Sequence, residues 1–330
     1  MAEWLACARC IIKSVIESTG VVSNPRLYVT RSRVACPTSW IFSGSSGFLP
    51  LLKTPMRNLY RVDDNFYCFT MSLLHKRTFC VVTGASRGIG KSIALNIAPN
   101  LGTNSVLVLL ARNTTALAEV KQMLLSNSDK TAHTIQVIYR GFDQGCPDQQ
   151  IFELLFSSIL SEASVAASDF EQTIIFHNAG TLDNLKYCPQ LDSFAKNSEY
   201  FNVNVAGLIA LNAKFLSTFD IQPKVVINIS SLAAKKPYKS WSLYCTVKAG
   251  REMFFKVLAA EDPSIRVLNY SPGPVDTDML TYARNETPDK DVKEAFLGNY
   301  VTSLFFSDRI CLKQVNTFEN GSHIDYFDVL

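Results

Sequence analysis

The sequence predicts an α/β fold built on a doubly wound parallel sheet, and three features carry that expectation. Apolar runs of strand length recur at 79–83, 105–110, 134–139, 172–177, 224–229 and 265–270. Helix-like stretches separate them at 88–99, 114–127, 147–165, 195–219 and 241–260. A glycine-rich turn, Thr83-Gly-Ala-Ser-Arg-Gly-Ile-Gly90, joins the first run to the first helix. Strands that are apolar throughout and joined by helices imply a sheet covered on both faces. Right-handed crossovers then bring ligands to the carboxyl ends of the strands. A short apolar run at 322–327 offers one more strand.

Residues 71–330 contain no repeat or low-complexity linker and read as one domain of the Rossmann-like type. Residues 1–70 look different. They are rich in Ser, Thr, Arg and Cys, and they sustain neither a strand nor a helix period. Such a segment buries little apolar surface, so it is expected to be disordered. An upstream extension is the favoured reading; a mitochondrial transit peptide and a regulatory tail are the alternatives. Glu3 and Glu17 sit badly with a transit peptide, which is acid-poor.

Charge and composition exclude several classes. Residues 1–70 carry eight Lys/Arg against four Asp/Glu, which leaves 24 against 25 for the rest. The main domain is therefore close to neutral and no nucleic-acid binder. No apolar run reaches the length of a membrane span. The nine cysteines show no disulfide spacing and the four histidines are scattered. Free thiols in a cytoplasmic enzyme, with no metal, are the expectation.

The glycine turn has a physical reading. Gly84 permits the sharp exit from the strand, and Gly88 removes a side chain where a pyrophosphate would lie. Gly90 lets the helix approach the strand, and the N–H groups of the first helical turn face the anion. Ser86, Arg87 and Ile89 fill the turn and join the expected cofactor contacts. The second strand ends in Ala111-Arg112, where an NAD site carries an acidic residue. Arg112 together with Arg87 suits a ribose 2′-phosphate instead, since guanidinium groups bind phosphate bidentately. NADP is expected over NAD, with two ordinary surface charges as the alternative. Asp143 follows the third strand, where it would accept from an adenine amino group or simply shape a turn. Asn178-Ala179-Gly180 closes the fourth strand with small residues that let the backbone approach a cofactor.

The candidate chemistry follows the fifth strand. Ser231 ends that strand, Tyr244 lies 13 residues later, and Lys248 is four beyond it. The i,i+4 spacing puts Tyr244 and Lys248 on one helix face. A phenol is a poor acid–base at neutral pH, and a neighbouring ammonium is expected to lower its pKa. Ser231 would orient a carbonyl while Tyr244 exchanges a proton with its oxygen.

With these motifs in place, the chain resembles the short-chain dehydrogenases/reductases from residue 78 to about 280. The likeness runs through Thr83–Gly90, Asn178-Ala-Gly, Asn204-Val-Ala-Gly, Ser231, Tyr244-Cys-Thr-Val-Lys248 and Pro272-Gly273. The resemblance implies Asn204, Ser231, Tyr244 and Lys248 as the catalytic set. It gives Lys248 the nicotinamide ribose and Asn204 a relay water, and it sets Pro272, Gly273 and Thr277 beside the nicotinamide. It also implies a homodimer formed through the helices at 195–219 and 241–260. His177 departs from the family pattern, where many members have a second Asn.

Residues 267–279 and 321–328 narrow the resemblance to the pterin-reducing branch of that family. There Asp325 would anchor the amino-pyrimidinone edge of the substrate, because a carboxylate can accept two N–H bonds. The implied activity is NADPH-dependent reduction of a side-chain ketone on a 6-pyruvoyl-tetrahydropterin, yielding tetrahydrobiopterin. Two rivals stand beside it: a general carbonyl or dicarbonyl reductase, and a non-catalytic NADP(H)-binding redox sensor. Residues 280–320 are expected to contribute a substrate lid.

Overall fold

A computed structural model of the chain describes residues 75–126, 135–221, 223–297 and 318–326. The expectations for residues 1–70, and for the lid beyond residue 297, lie outside this set. Seven parallel strands form one sheet, with order β3-β2-β1-β4-β5-β6-β7. They are β1 Thr78–Thr83, β2 Val106–Ala111, β3 Gln136–Gly141, β4 Gln172–His177, β5 Lys224–Ile229, β6 Ile265–Ser271 and β7 His323–Asp325. The strand order reverses between β1 and β4, the crevice where doubly wound folds bind nucleotides.

Side chains alternate across the sheet, so each strand feeds two cores. On one face Cys80, Val82, Leu107, Leu109, Ile174 and Phe176 meet helices α1 (Gly88–Ile97) and α2 (Thr114–Ser126). On the other, Phe79, Val81, Val108, Ile175 and Val226 meet a second helical layer. That layer comprises α3 (Gln149–Glu153), α4 (Leu155–Ala163), α6 (Gly207–Thr218) and α7 (Ser242–Glu261), while α5 (Phe194–Phe201) precedes α6 in the chain. Phe79 is fully buried there, with the rings of Phe219, Phe170 and Phe156 at 4.5, 5.3 and 6.1 Å.

Three helical expectations change in the structure. The stretch 147–165 divides at Leu154 into α3 and α4. The stretch 195–219 is interrupted by a π-helical turn, Asn202–Ala206, which inserts an extra residue into the helix. The polar stretch after residue 277 forms α8 (Asp278–Glu286) and α9 (Lys290–Ala295). Thr277 caps α8, its Oγ1 accepting from Leu280 N at 3.3 Å, and Asp278 and Arg284 complement the helix dipole.

Candidate active site

The glycine turn has the close contacts its sequence demands. Gly84 has φ +67°, a left-handed conformation that costs a side-chain-bearing residue strain. At Gly90 a β-carbon would lie 2.2 Å from the Gly84 carbonyl oxygen, so only glycine allows this helix to approach the strand. Asn178 fixes the same turn from β4. Its Nδ2 donates to Thr83 O at 2.8 Å, and its backbone N–H donates to Thr83 Oγ1 at 3.0 Å. The Asn178 side chain is thus committed to the turn. Backbone is what the 178–180 segment offers a cofactor.

The first turn of α1 contains no acidic residue, and its N-cap, Arg87, makes no side-chain cap bond. Its N–H groups and the small-residue cradle fit a pyrophosphate. The loop from Pro272 to Thr277 reaches this cradle, because a β-carbon on Gly88 would lie 3.2 Å from Thr277 Cγ2. Arg87 Nη1 donates to Asp278 Oδ2 at 2.7 Å across the same opening. Arg112 is exposed after β2, and Asp143 is exposed after β3, where its Oδ1 accepts from Gly145 N at 3.0 Å. That bond shapes the turn after β3.

Ser231, Tyr244 and Lys248 converge beyond the end of β5. Ser231 opens a short 3-10 turn, its Oγ accepting from Ala233 N at 3.2 Å, and it also hydrogen-bonds Tyr244. Trp241 lies edge-on to the Tyr244 ring with centroids 5.6 Å apart. Lys248 Nζ sits 5.5 Å from the centre of the Tyr244 ring and donates to Ile229 O at 2.7 Å. Asn204 lies in the π turn. Its Oδ1 accepts from Thr181 N at 3.0 Å, and its Nδ2 donates to Tyr200 O at 3.0 Å.

The electrostatics differ from the expectation drawn from spacing. Burial pushes the Tyr244 phenol up to about 12, while the Ser231 hydrogen bond and the Arg251 charge pull it down. Burial also drives the Lys248 pKa well below its ordinary value, with the nearby Arg251 charge adding to the effect. A neighbouring cation does favour the phenolate, but it is Arg251, and burial outweighs it. His177, the departure from the family pattern, is absorbed by the core. Burial and then Arg251 lower its pKa to about 3, and its Nε2 lies 3.1 Å from Asn212 Oδ1. It is neutral, and its ring packs against Phe255.

Asp325 ends β7, beside Ser271 in the register of β6. Ser271 Oγ donates to Asp325 Oδ2 at 2.6 Å. The Asp325 carboxylate raises the pKa of the Tyr238 phenol, after burial and Cys245, so it lies within electrostatic range of that ring. Tyr238 stacks near Trp241, and Trp241 lies against Phe296 with centroids 4.9 Å apart. Two charged residues escaped the sequence reading, Arg251 and Glu252. Glu252 is buried and accepts from Ser230 Oγ at 3.0 Å and from His323 Nδ1 at 2.7 Å. It also pairs with Lys235 at 2.5 Å and Lys256 at 2.9 Å. Their signal was position: Arg251 lies two turns after Tyr244, and Glu252 one turn after Lys248.

Comparison with known proteins agrees with this geometry. A family model described as short chain dehydrogenase matches residues 156–288. Sepiapterin reductase of Bos taurus is 36% identical over 264 residues, covering 76% of this chain and 95% of the bovine protein. Sepiapterin reductase of Rattus norvegicus is 35% identical over 262 residues, covering 76% and 96%. The crystal structure of the KRED1-Pglu enzyme superposes with a TM-score of 0.60 at 24% identity, covering 75% of this chain and all of that one.

Proposed function

The chain belongs to the short-chain dehydrogenase/reductase family, oxidoreductases acting on carbonyl or CH–OH groups, and on that premise we propose an NADPH-dependent reductase of pterin side-chain ketones. Its substrate would be sepiapterin or a 6-pyruvoyl-tetrahydropterin, and its product would feed tetrahydrobiopterin synthesis. Bound in the glycine cradle, NADPH supplies the hydride. Gly84, Ser86, Gly88 and Gly90 would carry its pyrophosphate. Arg87 and Arg112 would hold the 2′-phosphate, with Arg87 exchanging its Asp278 partner for that anion. Lys248 would hold the nicotinamide ribose.

Tyr244 is neutral at physiological pH, the right state for a proton donor to a developing alkoxide. Ser231 orients the carbonyl and hydrogen-bonds the phenol. Both ends of the Asn204 side chain are engaged, so a relay water would bind its main chain within the π turn. The exposed Met253 and Val257, one turn apart on α7, are consistent with homodimer packing through that helix. A cytoplasmic enzyme is the matching location.

The observation that carries the pterin assignment is the Asp325 carboxylate at the carboxyl end of β7. An apolar ketone gives that group nothing to bind, whereas the amino-pyrimidinone edge offers two N–H donors. The test is NADPH oxidation with sepiapterin and with a simple diketone, by wild type and by Asp325→Ala. We expect kcat/KM for sepiapterin to fall roughly tenfold to a hundredfold, as a lost charge-assisted bond of about 1.5–3 kcal/mol dictates, with the diketone little affected. Equal losses on both substrates would sink the pterin assignment. Turnover of the diketone alone would make the protein a general dicarbonyl reductase.

A further inference from the structure

Strand β7 is the shortest described strand, three residues paired to β6, yet it ends in Asp325. Backbone pairing holds a strand to its neighbour and leaves its level against the helices to side chains. Those side chains alternate between the two faces. Ile324 and Tyr326 pack on the core beside Leu268 and Tyr270, so His323 and Asp325 face the other side of the sheet, where α7 lies. Two contacts fix how β7 runs along that helix. A β-carbon on Gly321, just before the strand, would lie 2.9 Å from Ala259 Cβ and 3.5 Å from Lys256 Cα. Two residues on, His323 Nδ1 lies 2.7 Å from Glu252 Oε2. Strand and helix thus run in opposite directions and in step, since two strand residues advance about 6.6 Å and four helical residues about 6 Å. One step further, the same spacing brings Asp325 level with Lys248, which is one turn from Tyr244.

We infer that Glu252 is a positioning residue for the substrate anchor: through His323 it sets the level of β7 along α7, and with it the reach from Asp325 to Tyr244 and Lys248. Glu252 suits a fixed point. It is only 2% exposed, and Oε2 also accepts from Ser230, the residue before Ser231, while Oε1 pairs with Lys235 and Lys256. A buried carboxylate held from several sides is costly to move. Ser271 does not replace it. Its hydroxyl turns the Asp325 carboxylate, but it belongs to the neighbouring strand and makes no link to α7. The inference rests on the pterin reading, in which one substrate meets Asp325 and the reacting groups at once. A simple diketone does not span that distance, so the level of β7 should not matter to it.

The test compares wild type, His323→Phe and His323→Asn in the full chain on sepiapterin and a simple diketone, with each fold checked by thermal melting. Phenylalanine keeps a ring and removes the donor, whereas asparagine returns an amide N–H where Nδ1 stood. In His323→Phe, KM for sepiapterin should rise about threefold to tenfold with kcat and diketone turnover unchanged, and His323→Asn should restore it. In an Asp325→Ala background His323→Phe should add nothing, because a displaced anchor and a missing one are equivalent. Equal KM changes on both substrates, or losses that multiply in the double variant, overturn the inference. If His323→Phe does not fold, Glu252→Asp retracts the carboxylate by one methylene and should raise KM for sepiapterin more than for the diketone; equal shifts overturn it. Hydrogen exchange of residues 321–326 gives a comparison without turnover. Faster exchange in His323→Phe, slowed again in His323→Asn, is the expected result, and unchanged exchange overturns the inference. A wild type inactive on sepiapterin would sink the pterin reading, while the exchange still judges the tie between β7 and α7.

Discussion

The two sides of the sheet are built from different materials. Between the threonines that end β1, and along β2, the buried side chains are mostly hydrocarbon and aromatic: Phe79, Val81, Val82, Leu107 and Leu109. Toward the carboxyl ends of β4, β5 and β6 they are His177, Asn228, Ser230, Asn269 and Ser271, with Lys248, Arg251 and Glu252 supplied by α7. An apolar core gains its uniqueness from shape, because dense packing punishes a void. A polar interior gains it from partners, because each buried donor or acceptor left unmade is costly. The first side can lose a methylene and keep its chemistry. The second can keep its volume and lose its chemistry.

That contrast predicts different modes of failure. The largest effect is expected at Tyr244, where phenylalanine preserves shape and removes only the exchangeable proton. Turnover in Tyr244→Phe should fall by about 10²–10⁴-fold with the melting temperature nearly unchanged. A variant that loses stability instead would blur the distinction between the two sides. Next comes Phe79→Ala on the apolar side, expected to cost about 3–5 kcal/mol of unfolding free energy in denaturant titration. At temperatures where it remains folded, its pH–rate profile should overlay that of wild type. A displaced profile would show that the apolar core does reach the chemistry.

The smallest effect sharpens the comparison at Glu252. Burial works against its ionised form, but hydrogen bonds from His323, Lys235 and Lys256 outweigh burial and hold its pKa well below the usual carboxylate range. Because the folded pKa lies below the unfolded one, this stabilisation is complete above the unfolded pKa of about 4.3. It fades as pH falls toward the folded value. The partners are partly exposed, so Glu252→Gln should cost only about 1–3 kcal/mol. The gap in melting temperature between wild type and Glu252→Gln should be constant from pH 6 to 8 and shrink below about pH 4. A gap that widens in acid would contradict the ion-pair account.

Legibility in the sequence followed the same division. The apolar strands were readable because burial on both faces leaves an unbroken run such as Val106-Leu-Val-Leu-Leu. The glycine turn was readable because steric demands at Gly84 and Gly90 leave few alternatives. The proposed reacting residues were picked out through the i,i+4 spacing of Tyr244 and Lys248 and through family likeness. The field acting on Tyr244 was not. Spacing shows that a lysine is near a phenol, but it does not show that burial works against the lysine's charge or that the Arg251 charge acts on the same phenol. The π turn at Asn202–Ala206 was equally hidden, since the helical period of the flanking residues runs up to it from both sides. Helix α8 could have been found from Thr277-Asp278 at its start and Arg284 at its end, a capping pattern within a polar stretch.

The strand order has a consequence in time. β1 lies inside the sheet, with β2 paired along one of its edges and β4 along the other. Gln172 Nε2 donates to Thr78 Oγ1 across the β1–β4 seam at 2.8 Å, a contact between residues 94 apart in sequence. At a synthesis rate of about 5–20 residues per second, β1 waits roughly 5–20 s for that partner to be made. During the wait β2 can cover one edge, while the other leaves a strand with an apolar centre, Phe79–Val82, open to pairing with a neighbouring chain. The same placement that puts the cofactor turn at the crevice makes the nascent chain most vulnerable before its fourth strand is made.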